Sequence, residues 1–345
     1  MKTRIILTAV GAPGAPTIIK ALRDDKNIEI IGTDVRDDVI GKYMVDKFYQ
    51  VPMGTTDSFI EKLKEIVIKE KIKVIIPLAT FELDNLARHR DYFKSELSCI
   101  ICVSEYESLK IVNNKARLYE MFRNEDFIPK FFIPTSLEEF ERAVYNLGYP
   151  EEYVCVKIPV GHGSIGFRII RSDIDEWELF TKEKPSNVFI SLEKMMDIVS
   201  RLERFPEIFV SEYLPGEEWG VDGLINPNTH KFVSVSTRKN TNLNLSIPIA
   251  CTITKNEKLQ EIAQFIASKF KLAYSMNFDF KYTKDDVPKL LEINPRLSAS
   301  CILAVKAGVN LPLLSVDLAL NKDVEIKYPR EGISVYFYRD AFFIE

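Results

Sequence analysis

The 345-residue sequence lacks long hydrophobic runs, clustered histidines and an excess of basic charge. Its longest apolar stretches have the length of strands, so no transmembrane helix is predicted. The formal net charge of −4 argues against a nucleic-acid-binding protein, because phosphate contacts need a basic face. The N-terminal apolar stretch is too short for a signal peptide and is typical of a first strand. We therefore predict a cytoplasmic protein without nucleic-acid or membrane partners.

Cysteine and histidine are also scarce, with five and three residues respectively. An odd number of scattered cysteines is typical of a reducing compartment. Cys99 and Cys102 form a C-x-x-C pattern inside LSCIICVS, a segment that is typical of a buried strand. Free cysteine is commonly a small core hydrophobe, so packing is favoured over redox or metal chemistry here. The histidines have no zinc-ligand spacing.

Alternating strand and helix patterns fill the first ~105 residues, which predicts an open parallel sheet of the Rossmann-like kind. The middle of the chain combines helices and strands around a glycine-rich turn, GHGSIG. Further on come the strands MNFDFKYT and KLLEINPR, with TKDDVP as a plausible turn between them. The length predicts more than one domain, and the fold class is α/β followed by α+β.

The hairpin MNFDFKYT–KLLEINPR carries polar residues at alternate positions. A turn centred between residues 285 and 286 pairs Asp279 with Glu292 and Asn277 with Asn294, all on one face. The other face is then apolar, and we expect it to form the core side with Phe278, Phe280, Leu291 and Ile293.

Two carboxylates placed directly opposite each other destabilise a sheet, and a hard cation would remove that cost. Mg²⁺ takes oxygen ligands from one or two carboxylates, from waters and from substrate phosphates. The hairpin therefore predicts a metal–phosphate platform, with Arg296 on the same side to grip phosphate oxygens. A solvated hairpin face with incidental charges is the alternative interpretation.

Two further segments suggest nucleotide contacts. Lys157 ends a buried strand before glycines whose backbone N–H groups could form an anion nest; a glycine hairpin without a ligand also fits. Glu212 and Glu218 flank Pro215-Gly216 at a strand end. Their carboxylates could accept hydrogen bonds from the adenine amino group and from ribose hydroxyls. A turn with surface glutamates explains the same pattern.

In their order along the chain these segments resemble the ATP-grasp superfamily, and more closely its carbamoyl-phosphate-synthetase-like and carboxylate–amine ligase members. The resemblance rests on GAPGAPTIIKAL, VIIPLATFELDNLA, NNKARLYEMF, VCVKIPVGHGSIGF, SEYLPGEEWGVD and FDFKYTKDDVPKLLEINPR. It implies a Rossmann-like pre-ATP-grasp domain over residues 1–112 and a two-lobed ATP-grasp fold. The lobe with the glycine-rich loop would span 113–213, and the lobe with the metal-binding hairpin 214–345.

The resemblance also implies roles for individual residues. Arg296 and Arg238 would be catalytic, and Asp279, Glu292 and Asn294 would hold Mg²⁺ or Mn²⁺. The residues that would contact ATP are Lys115, Lys157, Gly163, Ser164, Ile165, Glu212, Tyr213, Leu214 and Glu218.

The sequence departs from the family pattern at two places on the acceptor side of the cleft. TNLNLSIP follows STRKN where many relatives have a glycine-rich stretch. Thr80 and Phe81 stand where an acidic residue is common. These differences bear on the substrate more than on the ATP chemistry.

The implied activity is ligation of a small-molecule carboxylate to an amine through an acyl phosphate, with release of ADP and phosphate. A carbamoyl-phosphate-synthetase-like enzyme acting on bicarbonate or carbamate is the first alternative. A non-catalytic nucleotide-binding module is another. A nicotinamide-dependent oxidoreductase is a further one, prompted by GAPGAP and Asp34, but it leaves the EINPR hairpin unexplained. The resemblance also allows for a homodimer.

Overall fold

The computed structural model describes residues 2–161, 165–175, 177, 180–181, 188–244, 247–338 and 341–344. Within them the strands form three sheets, of five, five and six strands. The predicted fold class, a Rossmann-like domain followed by an α+β region, is confirmed.

The first sheet is parallel and has the strand order β3-β2-β1-β4-β5, the order typical of a doubly wound fold. Its helices carry an apolar stripe toward the sheet: α2, for example, buries Phe59, Leu63 and Ile66. The strands are β1 (Thr3–Leu7), β2 (Ile28–Asp34), β3 (Lys47–Gln50), β4 (Val74–Ile76) and β5 (Ile100–Ile101). The helices of this domain are α1 (Ala15–Leu22), α2 (Asp57–Glu70) and α3 (Leu83–Leu97).

Two short helices, α4 (Tyr106–Val112) and α5 (Lys115–Met121), lead out of this domain. The side chain of Asn114 caps α5 by accepting from the backbone N–H of Arg117, at 3.0 Å. The cap fixes the start of the helix and thereby the place of Lys115. Tyr119 anchors the helix in the core, where its hydroxyl donates to the Leu290 carbonyl at 2.8 Å.

The middle region has a separate apolar core and a second sheet with the order β6-β10-β7-β8-β9. The elements are β6 (Phe131–Phe132), α6 (Leu137–Asn146), β7 (Val154–Lys157), β8 (Phe167–Ile170), β9 (Phe189–Ile190), α7 (Leu192–Ser200) and β10 (Phe209–Glu212).

The third sheet has the order β15-β14-β11-β12-β13-β16, and α8 packs on one of its faces. The elements are β11 (Glu218–Ile225), β12 (Phe232–Asn244), β13 (Ile247–Ile253), α8 (Glu257–Lys269), β14 (Tyr274–Tyr282), β15 (Pro288–Asn294), α9 (Ile302–Lys306), α10 (Leu311–Ala319) and β16 (Ser334–Tyr336). The boundaries that we propose after residues 112 and 213 fall at the end of α4 and just after β10.

The β14–β15 hairpin has the predicted pairing at its polar end, with Asp279 opposite Glu292 and Asn277 opposite Asn294. Beyond Asp279 the register shifts by one residue, so Phe280 pairs with Leu290. Such a bulge inserts one residue into a strand and reverses the alternation that follows. The prediction that Leu291 lies in the core is therefore wrong, because Leu290 is fully buried and Leu291 only half-buried.

The first domain packs directly on the third sheet region. The Asn310 side chain at the start of α10 donates to the Ala21 carbonyl of α1 at 2.8 Å, and the Ser104 hydroxyl donates to the Ala273 carbonyl at 3.1 Å. These contacts bring the N-terminal domain close to the end of the hairpin.

No single helix among the described residues is long and apolar enough to cross a membrane. One bent pair of helices, Ala299–Lys306 with Leu311–Ala319, has the length and composition to do so, and only those two properties support it.

Candidate active site

The hairpin brings the three predicted metal ligands together. Asp279 and Glu292 lie opposite each other across β14 and β15. The Asn294 side-chain amide donates to Asp279 Oδ2 at 3.1 Å and to Glu292 Oε1 at 3.0 Å. Two carboxylates and one amide therefore converge on one point of the sheet face.

Lys115, at the start of α5, supplies a positive charge to this cluster. Its Nζ lies 3.0 Å from Glu292 Oε2 and donates to the Gly161 carbonyl at 3.1 Å. Burial by itself would raise the pKa of Glu292, but Lys115 and the Asn294 amide hold that pKa below its usual value. Glu292 is thus an ionised carboxylate at neutral pH.

Asp279 is in a different electrostatic environment. Burial raises the pKa of Asp279 to about 7, against the opposing charge of Arg238 and with the help of nearby Glu292. The nearest guanidinium nitrogen of Arg238 is 3.6 Å from Asp279 Oδ1, too far for a hydrogen bond. A divalent cation would favour the ionised form of Asp279.

Arg238 itself is buried, and its strongest partner is Asp222 on β11. Its Nε donates to Asp222 Oδ2 at 2.9 Å, and its terminal nitrogen donates to the Asn240 side chain. Gly220 packs against the guanidinium. A Cβ added at this glycine would lie 2.3 Å from the Arg238 Cζ. The catalytic role of Arg238 stays a prediction.

Lys157 ends β7, close enough to interact electrostatically with Lys115 and Glu292. It is half-buried, and its Nζ lies 5.8 Å from the centre of the Phe209 ring and 5.9 Å from that of Phe167. Burial lowers the pKa of Lys157, and the charge of Lys115 lowers it further. In the part of the chain that the structure describes, no carboxylate pairs with it, so its charge is available to an anion.

The predicted adenine and ribose residues lie around the end of β10. Glu212 Oε1 accepts from the backbone N–H of Lys130 at 2.8 Å, so one carboxylate oxygen already has a protein partner. The Tyr213 ring packs on Tyr153 with 5.5 Å between centroids, and Leu214 is buried. Their contacts with a nucleotide stay predictions.

Glu218 faces the same polar sheet surface. It accepts from the Asn240 side-chain amide at 3.0 Å, and burial raises its pKa. Ile165 of the glycine-rich loop is exposed. The other two predicted loop contacts, Gly163 and Ser164, lie outside the described residues.

Arg296 reaches from the end of the hairpin to the N-terminal domain. Its Nε donates to the Thr80 hydroxyl at 3.2 Å, and a terminal nitrogen donates to the Leu297 carbonyl at 3.0 Å. Thr80 is one of the two residues, with Phe81, that by the resemblance stand where an acidic residue is common. The guanidinium therefore lies at the junction of the two domains with a neutral partner on the N-terminal side.

Sequence reasoning missed Asp222 and Asn240. Asp222 alternates with buried Val221 along β11, and Asn240 lies two residues after Arg238 on β12 and donates to Glu218. The alternation Glu218, Gly220, Asp222 was the available signal. Asn277 was predicted to lie on the polar face of the hairpin, and its buried side-chain nitrogen has no hydrogen-bond partner among the residues that the structure describes.

Asp34 was the basis of the oxidoreductase alternative. Its carboxylate accepts from the backbone N–H of Gly11 at 2.7 Å and from that of Arg36 at 3.0 Å. One oxygen thus holds the turn after β1 and the other the segment after β2, which gives this acid a structural explanation without a dinucleotide.

The donor chemistry of the hairpin fits Mg²⁺ or Mn²⁺. The oxygens of Asp279 and Glu292 share the Asn294 amide as a donor, so they already face one point. Magnesium uses one or two carboxylates with substrate phosphates and waters. Across the described residues there is no cluster of three or more His, Cys, Asp and Glu side chains suited to a metal ion.

Two family models match the sequence. Residues 5–101 match the model described as "PylC-like, N-terminal domain". Residues 204–340 match the model described as "ATP-grasp in the biosynthetic pathway with Ter operon". No curated protein sequence gives a significant match.

Solved structures resemble the whole chain. N5-carboxyaminoimidazole synthetase from Staphylococcus aureus, complexed with ADP, superposes with a TM-score of 0.69 at 13% identity, over 96% of this chain and 81% of that one. The biotin carboxylase domain of Hydrogenobacter thermophilus 2-oxoglutarate carboxylase, with MgADP and bicarbonate, gives 0.66 at 15% identity, over 96% and 73%. L-amino acid ligase from Bacillus licheniformis gives 0.64 at 14% identity, over 92% and 74%.

Likeness at this level of identity shows the fold, which is an ATP-grasp fold preceded by a Rossmann-like domain. The family matches over residues 5–101 and 204–340 agree with this fold and confirm the predicted resemblance to the ATP-grasp superfamily.

Proposed function

We propose that the protein is an ATP-dependent ligase that joins a carboxylate to an amine through an acyl phosphate, releasing ADP and phosphate. The observation that carries this proposal is the convergence of Asp279, Glu292 and Asn294 beside Lys115. Such an arrangement suits a metal-bound triphosphate, because carboxylates alone at this spacing repel each other.

In this proposal Asp279, Glu292 and Asn294 hold Mg²⁺ or Mn²⁺. When bound, the ion neutralises charge on the phosphate oxygens and stabilises the transferring phosphoryl group. Lys115 pairs with Glu292 at 3.0 Å and, with an ion held by that carboxylate, would be free to bind a phosphate oxygen. Lys157, which has a depressed pKa and no carboxylate partner within the described ranges, binds a second phosphate oxygen.

The nucleotide base lies at the end of β10. The backbone of Leu214 and the free oxygen of Glu212 meet the edge of adenine, Tyr213 packs beside it, and Glu218 accepts from the ribose hydroxyls. These roles are supported by their shared position around one strand end and by the buried, hydrogen-bonded state of Glu218.

The acceptor lies at the junction of the N-terminal domain and the hairpin, next to Arg296. A carboxylate oxygen attacks the γ-phosphorus, the bond to ADP breaks, and an acyl phosphate forms. An amine then attacks the carbonyl carbon and phosphate leaves. Arg296 orients the acceptor and stabilises the developing charge, since its guanidinium has a neutral partner in Thr80. No protein nucleophile is needed.

A second candidate is phosphorylation of bicarbonate or carbamate, as in carbamoyl-phosphate-synthetase-like enzymes. Two structural neighbours support it: one is a carboxyaminoimidazole synthetase, and the other is a biotin carboxylase domain crystallised with bicarbonate. Bicarbonate offers the same attacking oxygen as a carboxylate, so the metal and phosphate residues would keep their roles.

The test is release of ADP and phosphate from ATP with Mg²⁺, across amino acids, small carboxylates, amines and bicarbonate, offered singly and in pairs. Release that depends on one acid–amine pair identifies the ligase and its substrates. Release with bicarbonate and no other acid selects the second candidate. Tight Mg·ATP binding without release for any pair contradicts both and favours a binding module. Glu292→Ala serves as the inactive control, and Glu217→Ala, at an exposed surface ion pair, as the active one.

A further inference from the structure

Asp222 is a buried carboxylate to which the proposed mechanism gives no role. It lies on β11, directly opposite Asn277 of β14, in the interior of the polar sheet face. Both of its oxygens have partners: Oδ2 accepts from Arg238 Nε at 2.9 Å, and Oδ1 accepts from the Ser298 hydroxyl at 2.6 Å. A buried acid so fully engaged has a fixed orientation.

Arg238 stands between two carboxylates, and its contacts with them are unequal. The bond to Asp222 is short and direct, at 2.9 Å, whereas the approach to Asp279 is 3.6 Å. Gly220 leaves room for the guanidinium in this position, because a side chain there would clash with it. The geometry therefore commits Arg238 to Asp222 and leaves the oxygens of Asp279 accessible.

The pairing of Arg238 with Asp222 affects the net charge beside the proposed metal site. Asp222, Arg238 and Asp279 together carry a net charge of −1 when both acids are ionised, and the charge that remains belongs to Asp279. Without the carboxylate of Asp222, Arg238 would pair with Asp279 alone and the group would be neutral. A neutral group attracts a divalent cation less than an anionic one.

We propose that Asp222 is a positioning residue that acts through Arg238 to keep Asp279 available as a metal ligand. Asp222 also links the metal carboxylate to Ser298, in the segment that follows Arg296, and so joins the metal side of the site to its acceptor side. The inference rests on the proposed function, because it assigns a role toward the ion that Asp279 and Glu292 would hold.

The experiment measures Mn²⁺ binding by electron paramagnetic resonance at pH 8.5, with ADP present and without it. The high pH keeps protons from competing for Asp279. Four proteins are compared: wild type, Asp222→Asn, the double variant Asp222→Asn/Arg238→Met, and Asp317→Asn. Asp317 pairs with Lys322 at the surface and controls for the loss of a remote acid.

Asp222→Asn is expected to weaken Mn²⁺ binding about tenfold in the presence of ADP, the size typical of losing an outer partner of a metal ligand. The double variant is expected to bind within about threefold of wild type, because removal of Arg238 restores the net charge of −1. A merely structural role for Asp222 would instead make the double variant no better than the single one.

Wild-type Mn²⁺ affinity in Asp222→Asn, with circular dichroism showing an intact fold, overturns the inference and leaves the proposed function in place. Absence of Mn²⁺·ADP binding in the wild type overturns the proposed function and the inference with it. If Asp222→Asn does not fold, the double variant decides: affinity near wild type supports the inference, and a tenfold loss refutes it.

Discussion

Asp279 and Glu292 lie directly opposite each other on antiparallel strands, and both accept a hydrogen bond from the Asn294 amide. Their surroundings separate them, because Lys115 lies 3.0 Å from Glu292, whereas Asp279 has no cation within hydrogen-bonding distance in the described chain. Burial raises the pKa of Asp279, and Lys115 and Asn294 lower that of Glu292. The pair thus combines one firmly ionised carboxylate with one that a cation would ionise.

Glu292→Gln is expected to lower turnover about a thousandfold, because several kcal/mol of charge stabilisation are lost with a metal ligand. Steady-state ADP release measures it, with thermal unfolding to confirm the fold. Glu217→Gln, at the edge of the same sheet, is the matched control and should retain wild-type turnover. Near-normal activity of Glu292→Gln would remove the basis for the metal site.

Lys157→Met is expected to weaken ADP binding by about 2 kcal/mol, roughly thirtyfold, the usual size of a hydrogen bond to a charged group. Its melting temperature should not fall, since a desolvated ammonium with no carboxylate partner in the described ranges contributes little to folding. Isothermal titration calorimetry with ADP gives the affinity. Lys239→Met, at a surface ion pair, should bind ADP as the wild type does; an equal loss in both variants would refute a specific role for Lys157.

Leu290→Ala and Leu291→Ala form a matched pair that tests the bulge in the hairpin. Leu290 is fully buried, so its truncation should cost about 2–5 kcal/mol of unfolding free energy. Leu291→Ala should cost less than about half as much, because that side chain is half-buried. Urea unfolding measures both; a larger loss for Leu291→Ala would mean that the regular pairing without a bulge is the true one.

Glu82 should make stability depend on pH. Burial raises its pKa to about 7, although Thr8 and the backbone N–H groups of Leu78 and Ala79 donate to it. Because the folded pKa exceeds the unfolded one, the stabilising contribution is complete below about pH 4.5 and is lost as the pH rises through 7.

We therefore expect the unfolding free energy of wild type to decline, relative to Glu82→Gln, by about 3 kcal/mol between pH 4.5 and 8. Urea unfolding at several pH values gives the difference in unfolding free energy between the two proteins. The contributions of the other titrating groups cancel in this difference. Parallel stability curves for the two proteins would show that Glu82 is ionised in the folded state.

Much of the fold follows from local patterns in the sequence. The alternation of strand and helix before residue 105 predicted the parallel sheet, because amphipathic helices and buried strands have different periods. The residues TKDDVP supplied a turn between two strands, and period-two alternation then placed Asp279 and Glu292 on one face. Lys157 was predicted as a phosphate ligand because it ends a strand that runs into a glycine-rich turn.

Tertiary structure decided what depends on residues far apart in the chain. Because of the one-residue bulge, Leu290 and not Leu291 lies in the core. The alternating pattern of the sequence does not show where the alternation is interrupted. Strand β13 (Ile247–Ile253) was not predicted; it pairs with β12 in the structure. Asp222 and Arg238 meet because β11 and β12 pair in one register, and Lys115 meets Glu292 because α5 packs beside the hairpin. The sequence by itself predicted which groups could bind a metal–nucleotide, because their residue types and spacing are local. Only the packing of separate elements decided which charges those groups share, because electrostatic interaction depends on distance in space and not on distance along the chain.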